Sequence, residues 1–268
     1  MRIQHYIPKH SNDFIHLIWE QYSNEKSSWK ILPSGYVELI FRISTNFAVD
    51  NNRSYLKKTE ATGNFCFLSG LHTKPLYFSF NKFHFIGIQL NPIAVKALFG
   101  IPTNELRNNA IEGEAIVKSL NKIEDILKSE RTFYKKAIFL ENFIYSKINE
   151  SNDLHMAVRL SRLVKKLTHH KILGEKIDLE SCLGYSRTHS FRIFNEWFGH
   201  SSVNTLKLLQ FAQTINHLHS STGRLNEAAL QNGYFDQSHF IRSFKEFAEM
   251  TPGTYKKKMT NIPGQISY

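Results

Sequence analysis

Residues 228–258 read AALQNGYFDQSHFIRSFKEFAEMTPGTYKKK, and this stretch decides how the chain folds. A short apolar run leads to a Gly233-Tyr234 turn, then to Asp236 as a helix cap, then to a second helical run. Two helices joined through a Gly-containing turn are the grammar of a helix-turn-helix unit. On the wheel of the second helix, Phe240, Phe244 and Phe247 share one face at i, i+4 and i+7. Ser238, Arg242 and Lys245 point the other way, with His239 beside them. An outward row of short polar, His and Arg side chains can meet base edges and phosphates.

The same pattern occurs upstream. Ser186, His189, Arg192, Phe194 and Glu196 recur at an offset of 50 as Asp236, His239, Arg242, Phe244 and Glu246. Ser and Asp are both good N-caps, and the other four are identities. Each copy places a short helix (179–183, then 225–232) before a Gly-Tyr turn, Gly184-Tyr185 or Gly233-Tyr234. A repeat at this offset marks a duplicated supersecondary unit. In the first copy Phe194 and Phe198 face inward, flanked by Trp197, while Thr188, His189, Arg192 and Glu196 face outward. Between the copies Leu208, Phe211, Ala212, Ile215 and Leu218 form a helical stripe able to hold both units.

Residues 228–258, together with ESCLGYSRTHSFRIFNEWFGHSS at 180–202, resemble the AraC/XylS family of bacterial regulators. The family's signature positions are matched by Gly233-Tyr234, Asp236, Ser238, Phe240, Arg242, Phe244 and Thr251-Pro252. The resemblance implies two recognition helices in successive major grooves on one face of duplex DNA. It assigns base readout to Thr188, His189, Phe191 and Arg192 in the first unit and to Gln237, Ser238, His239 and Arg242 in the second. Arg187, Lys207, Lys245, Lys256, Lys257 and Lys258 are the candidate phosphate partners. RNA polymerase is the implied further partner if the protein is an activator. The chain departs from the family at Ser190, where an apolar residue is usual, and at Phe191, often polar and DNA-facing. Ser202 replaces a common Pro, Gln210 a common Arg, and Glu249 a usual Gly.

The first ninety or so residues are β-rich. Val37, Leu39, Phe41 and Ile43 alternate with Tyr36, Glu38, Ile40 and Arg42, a period of two. Phe65 and Phe67 alternate similarly, and two apolar runs meeting at Asn81-Lys82 predict a hairpin over 76–90. Asp50-Asn51-Asn52 predicts another turn. Asn91 and Pro92 then cap and start a helix that Gly100 stops. Helical spacing follows in Ile116, Leu120, Ile123 and Leu127, and again in Ile138, Phe139, Phe143 and Ile144. A polar stretch at 149–153 precedes a helix over 154–167 with Arg159, Arg162, Lys165 and Lys166 exposed. The stretches at 32–43, 69–80 and 85–106 resemble the β-rich sensor domain of one class of the same family.

The predicted fold class is α+β: an N-terminal small β-barrel or sandwich with flanking helices, then an all-α domain of two helix-turn-helix units joined by a linker helix. The expected divisions are 1–112 for a sensor-type domain, 113–153 for a helical connector and 154–268 for the DNA-binding domain. The formal charge is +11, and it is uneven. Residues 1–154 carry 19 Lys and Arg against 15 Asp and Glu, whereas 155–268 carry 15 against 8. The C-terminal part is therefore the basic one, which suits nucleic acid as partner. The two cysteines, Cys66 and Cys182, lie too far apart in sequence to suggest a disulfide framework or metal spacing, and no apolar run reaches bilayer length. A cytoplasmic protein without membrane partner or cofactor is expected. An enzyme reading finds no G-x-S-x-G elbow, Walker loop or dinucleotide fingerprint. His5, His10, His16, His72 and His84 lack the spacing of a barrel metal site. The aromatics Phe65, Phe67, Tyr77, Phe78, Phe80, Phe83 and Phe85 form either a core or the lining of a small-molecule effector cavity. Dimerisation is a further role for this domain. The competing functional readings are a non-catalytic interaction protein with a degenerate DNA module and a β-barrel enzyme acting on a small molecule.

Overall fold

The computed structural model describes residues 2–8, 13–44, 66–80, 82–116, 120–169, 182–220 and 225–267. The fold is α+β. Strands β1 (Arg2–Tyr6), β2 (Ile15–Ser23), β3 (Ser27–Ile31), β4 (Val37–Ser44), β5 (Cys66–Ser69), β6 (Leu76–Phe80), β7 (Phe83–Leu90) and β8 (Ala110–Glu112) build two antiparallel sheets. One has the order β1-β2-β7-β4-β5-β8. The other is β6-β3-β9, in which β9 (Gln265–Ser267) arrives from the far end of the chain. The last residues are thus not part of an all-helical domain: Ile31 lies opposite Gln265 and Trp29 opposite Ser267 in the N-terminal sheet.

Period-two patterning sorts the larger sheet into two faces. Val37, Leu39 and Phe41 are wholly buried in the main core, against helices. Each such side chain contributes about 1.5–3 kcal/mol over leaving it exposed. Ile40, Phe67, Phe83 and Phe85 turn the other way and join Trp29 in a second cluster. Gly87 sits opposite Trp19 and Ile40, and a Cβ there would lie 2.4 Å from the Trp19 ring. The missing side chain gives the indole its place.

Residues 76–90 do form two strands, but not the hairpin the pattern predicts. β6 pairs with β3, and β7 pairs with β2 and β4. The chain changes sheets between them. Phe83 is 2% exposed and meets Trp29 edge-on at 4.8 Å. Burying aromatic rings between two sheets outweighs pairing with the sequence neighbour. The predicted turn at 50–52, Phe65 and the Phe80 side chain lie outside the described residues.

Helix α1 (Pro92–Phe99) starts and stops as its sequence dictates: Asn91 accepts from the Ile93 amide, and Gly100 adopts φ +69. A 3-10 turn over Thr103–Leu106 follows. Helices α2 (Gly113–Ile116), α3 (Leu120–Ser129) and α4 (Phe133–Asn149) come next, and α3 buries Leu120, Ile123 and Leu127. In α4 the buried stripe is Ala137, Leu140, Ile144 and Ile148, with Ile138, Phe139 and Phe143 only partly covered. Polar anchors set this rotation. Lys136 reaches Glu20 at 2.6 Å, and Glu141 accepts from the Tyr6 hydroxyl at 2.6 Å. Glu20 also meets His84 at 3.0 Å. Burial alone would raise the Glu20 carboxyl, but His84 and Lys136 together hold it below its ordinary value.

Helix α5 (Leu154–His169) exposes Arg162, and Lys165 pairs with Asp13. Arg159 is not a free surface group. It donates to the Leu183 carbonyl and, at 3.1 Å, to the Tyr185 hydroxyl, tying α5 to the turn of the first repeat. Helices α6 (Arg187–Phe198), α7 (Ser202–Ser220), α8 (Leu225–Gln231), α9 (Gln237–Ala248) and α10 (Pro252–Lys258) complete the C-terminal part. Of the helix read over 179–183, only residues 182 and 183 are described. Among the described residues no helix is long and apolar enough to cross a membrane.

Candidate nucleic-acid interface

The two repeats enter their second helices alike. Gly184 and Gly233 take φ +66 and +78, where L side chains are strained. Ser186 caps α6 through the His189 amide, and Asp236 caps α9 through the His239 amide at 2.6 Å. Each cap is worth about 1 kcal/mol. The turn tyrosine then packs on the repeated histidine: Tyr185 stacks on His189 at 4.4 Å, and Tyr234 meets His239 at 5.6 Å. His239 Nδ1 also accepts from the Phe235 amide. Both histidines are half-buried, so part of their repeated identity is explained by the turns.

The N-terminal halves of both helices are open. Arg187, Thr188, Phe191 and Arg192 are exposed on α6, and Gln237, Ser238 and Arg242 on α9, with Lys245 exposed one turn further along. Phe191 is 59% exposed and does not fill the inward face of its helix. That face holds Ile193, Phe194, Trp197 and Phe198, with Ser190 at 3% exposure and no partner for its hydroxyl among the described residues. Phe235, beside the α9 cap, is 88% exposed, a feature the sequence reading passed over. Of the candidate phosphate partners, Arg187, Lys245, Lys257 and Lys258 are exposed and Lys256 is half-buried. Lys207 is exposed and lies 3.9 Å from Glu246.

The C-terminal halves are docked on the N-terminal domain. Lys96 of α1 meets Glu196 at 2.6 Å and lies over the Trp197 ring at 5.2 Å. Arg107 donates from Nε to the Gly199 carbonyl at 2.8 Å and also reaches Asn195. On α9, Lys74 donates to the Glu246 carbonyl, and the Tyr77 hydroxyl donates to Glu249 at 3.1 Å. Lys30 approaches the same carboxylate at 3.9 Å. Glu249 therefore stands where Gly is usual for a reason. It holds φ +55 at the helix end, and its side chain is the tie to the barrel. Gln210, in place of an Arg, is buried and donates to the Asn232 carbonyl at 2.8 Å. Of these N-terminal partners the sequence singled out Tyr77 alone, and as a core or cavity aromatic, because contacts between distant segments leave no local pattern.

A cavity of about 400 Å³ lies between the two sheets. Phe67, Phe78 and Phe85 line it, whereas Tyr77 points to Glu249 and Phe83 is core. Ala212, Ile215 and Asn216 of α7 and residues 262–265 of the tail close it. His72 hydrogen-bonds Ser69 and His84 pairs with Glu20, and no group of three metal-ligating side chains occurs among the described residues.

Two Gly-turn, capped-helix units around a shared linker helix have the geometry of helix-turn-helix units. A helix-turn-helix domain model matches residues 179–258, and a domain of unknown function (DUF6597) matches residues 4–112. Residues 179–258 are thus a helix-turn-helix domain by family model as well as by geometry. Similar solved structures include ToxT from Vibrio cholerae O395, at 13% identity, covering 97% of this chain and 99% of that one, with a TM-score of 0.47. ToxT of strain SCE256 with unsaturated fatty acid bound is 11% identical over 98% and 99% of the two chains, with a TM-score of 0.48. The C-terminal domain of AraT, a response regulator from Geobacillus stearothermophilus, is 20% identical over 37% of this chain and 84% of that one, at 0.34. No curated protein sequence matches.

Proposed function

We propose that the protein is a sequence-specific transcription regulator that reads duplex DNA with α6 and α9 in successive major grooves, under control of a small molecule held in the barrel. The observation that carries the DNA reading is the shared polarity of the two helices. Both leave their N-terminal halves open and dock their C-terminal ends on the N-terminal domain, α6 on α1 and the turn after it, α9 on Lys74, Tyr77 and Lys30. Recognition helices of this class touch base edges from their N-terminal residues. Thr188, His189, Phe191 and Arg192, with Gln237, Ser238, His239 and Arg242, are the proposed base readers. Arg187, Lys207, Lys245 and Lys256–Lys258 are the proposed phosphate partners. The chain divides at 112 and 153 into sensor, connector and DNA-binding parts on this reading, and acts in the cytoplasm.

The cavity supports the sensing role. Its wall includes the linker helix that both units pack on, so an occupant touches the element that sets their relative placement. Any difference in affinity between two placements becomes a bias on DNA binding.

Fluorescence anisotropy of the full chain on labelled duplex, titrated with salt, tests the DNA reading. Counterion release predicts a linear fall of log K with log salt, with a slope of about −0.9 per neutralised phosphate. Absence of binding at low salt overturns it.

A further inference from the structure

The cavity has one carboxylate and no cation of its own. Its lining contains Glu38 but neither Lys nor Arg among the described residues. The remaining ionisable groups there are His5, His16, His72 and Tyr36. Burial lowers all three histidines, His72 to about 4, so each is in its neutral form near pH 7. His16 lies flat on Tyr36 at 4.2 Å, and His72 shares a hydrogen bond with Ser69 at 2.9 Å. Neither offers a charge to balance Glu38.

Glu38 is placed by the sheet. It sits opposite Gln89, whose Nε2 donates to its Oε1 at 2.7 Å. Its second oxygen has no protein partner among the described residues. Burial pushes the carboxyl up, as expected for an acid enclosed by apolar walls. Tyr36, two residues before it, and Trp19, across Gly87 from Ile40, line the same cavity. A carboxyl with a free acceptor, in a cavity that aromatic rings also line, suits a cation that also donates hydrogen bonds. A cation offsets the cost of ionising this carboxyl, whereas an anion adds to that cost and finds no Lys or Arg in the lining among the described residues.

From this geometry we infer that the cavity binds an apolar amine, with its ammonium on the free oxygen of Glu38 and its hydrocarbon body against the rings between the sheets. The volume falls within the range of small-molecule sites. This inference rests on the sensing role proposed above and names the class of its ligand.

The test is calorimetric titration of the full chain with three probes of one skeleton: 4-phenylbutylamine, 4-phenylbutanol and 4-phenylbutanoate. The amine is expected to bind at least tenfold more tightly than the acid, with the alcohol between. Glu38→Gln keeps the shape and the Gln89 contact. It is expected to reduce the amine to the alcohol's affinity without lowering the unfolding midpoint, since removing a carboxyl that burial disfavours does not destabilise the fold. If the native chain binds acid and amine equally, or if Glu38→Gln leaves the amine's advantage intact, the amine assignment is overturned. Alcohol binding without amine preference would leave the sensing role standing. Failure of all three probes to bind would overturn both.

Discussion

Ser190 carries a buried hydroxyl on the inward face of α6, without a partner among the described residues. An orphaned buried polar group costs about 1–3 kcal/mol, so Ser190→Ala is expected to stabilise the chain by roughly 1 kcal/mol in chemical denaturation. A loss of stability would show that the hydroxyl has a partner in solution. The two repeated arginines differ in a way that bears on readout. Arg192 lies 3.8 Å from Glu196, whereas Arg242 has no ion-pair partner among the described residues, its own i+4 carboxylate Glu246 lying near Lys207. Arg on guanine is worth about 1–3 kcal/mol of discrimination. Arg242→Ala is therefore expected to flatten the base-preference profile more than Arg192→Ala, while both weaken binding. The reverse order in a selected-site profile would make the first unit the main reader. Phe191 agrees with this ranking: it is exposed, and a phenyl ring can touch a thymine methyl but cannot hydrogen-bond a base edge.

At the scale of elements, much was legible because the signals are local. Asn91, Pro92 and Gly100 fixed α1, and Phe240, Phe244 and Phe247 oriented α9. What the sequence did not disclose depends on partners far along the chain. β6 and β7 read as a hairpin because adjacency is the default, yet Phe83 and Phe85 pull them into different sheets. The rotation of α4 follows Lys136 and Glu141, two charges that look solvated on a wheel and are buried here. β9 is only three residues, and its partner β3 lies more than two hundred residues away. The position of Glu38 was visible, a carboxylate in register with Ile40 on an alternating strand, but its meaning needed the second sheet. Glu249 gives an element-scale prediction. Glu249→Gly relieves the left-handed strain of about 1–2 kcal/mol but removes the tie to Tyr77 and Lys30. Hydrogen exchange is expected to show faster exchange in β6 and at the end of α9, with α6 unchanged. Unaltered exchange in β6 would mean that the tie does not hold the barrel to α9.

At the scale of the molecule, the sheets and helices share one core, and two histidines, half-buried His72 and buried His200, link it to pH. His72 in the cavity and His200 after α6 are both lowered to about 4, chiefly by burial, and His200 also by Arg107. The unfolded chain takes up protons near the ordinary value of 6.5, the folded chain only near 4. Between those values the unfolded state binds more protons, so stability falls as pH falls across that window. Denaturation midpoints measured from pH 7 to pH 4 are expected to decline, and replacing both residues, as His72→Gln with His200→Gln, to flatten the slope. An unchanged slope would place the acid sensitivity elsewhere. The basic C-terminal part and the duplicated unit lead to the most direct test of all, hydroxyl-radical footprinting of the full chain on a selected duplex. Two recognition helices in one monomer predict two protected segments about 10–10.5 bp apart on the same face of the DNA. A single protected segment, or two on opposite faces, would contradict the account.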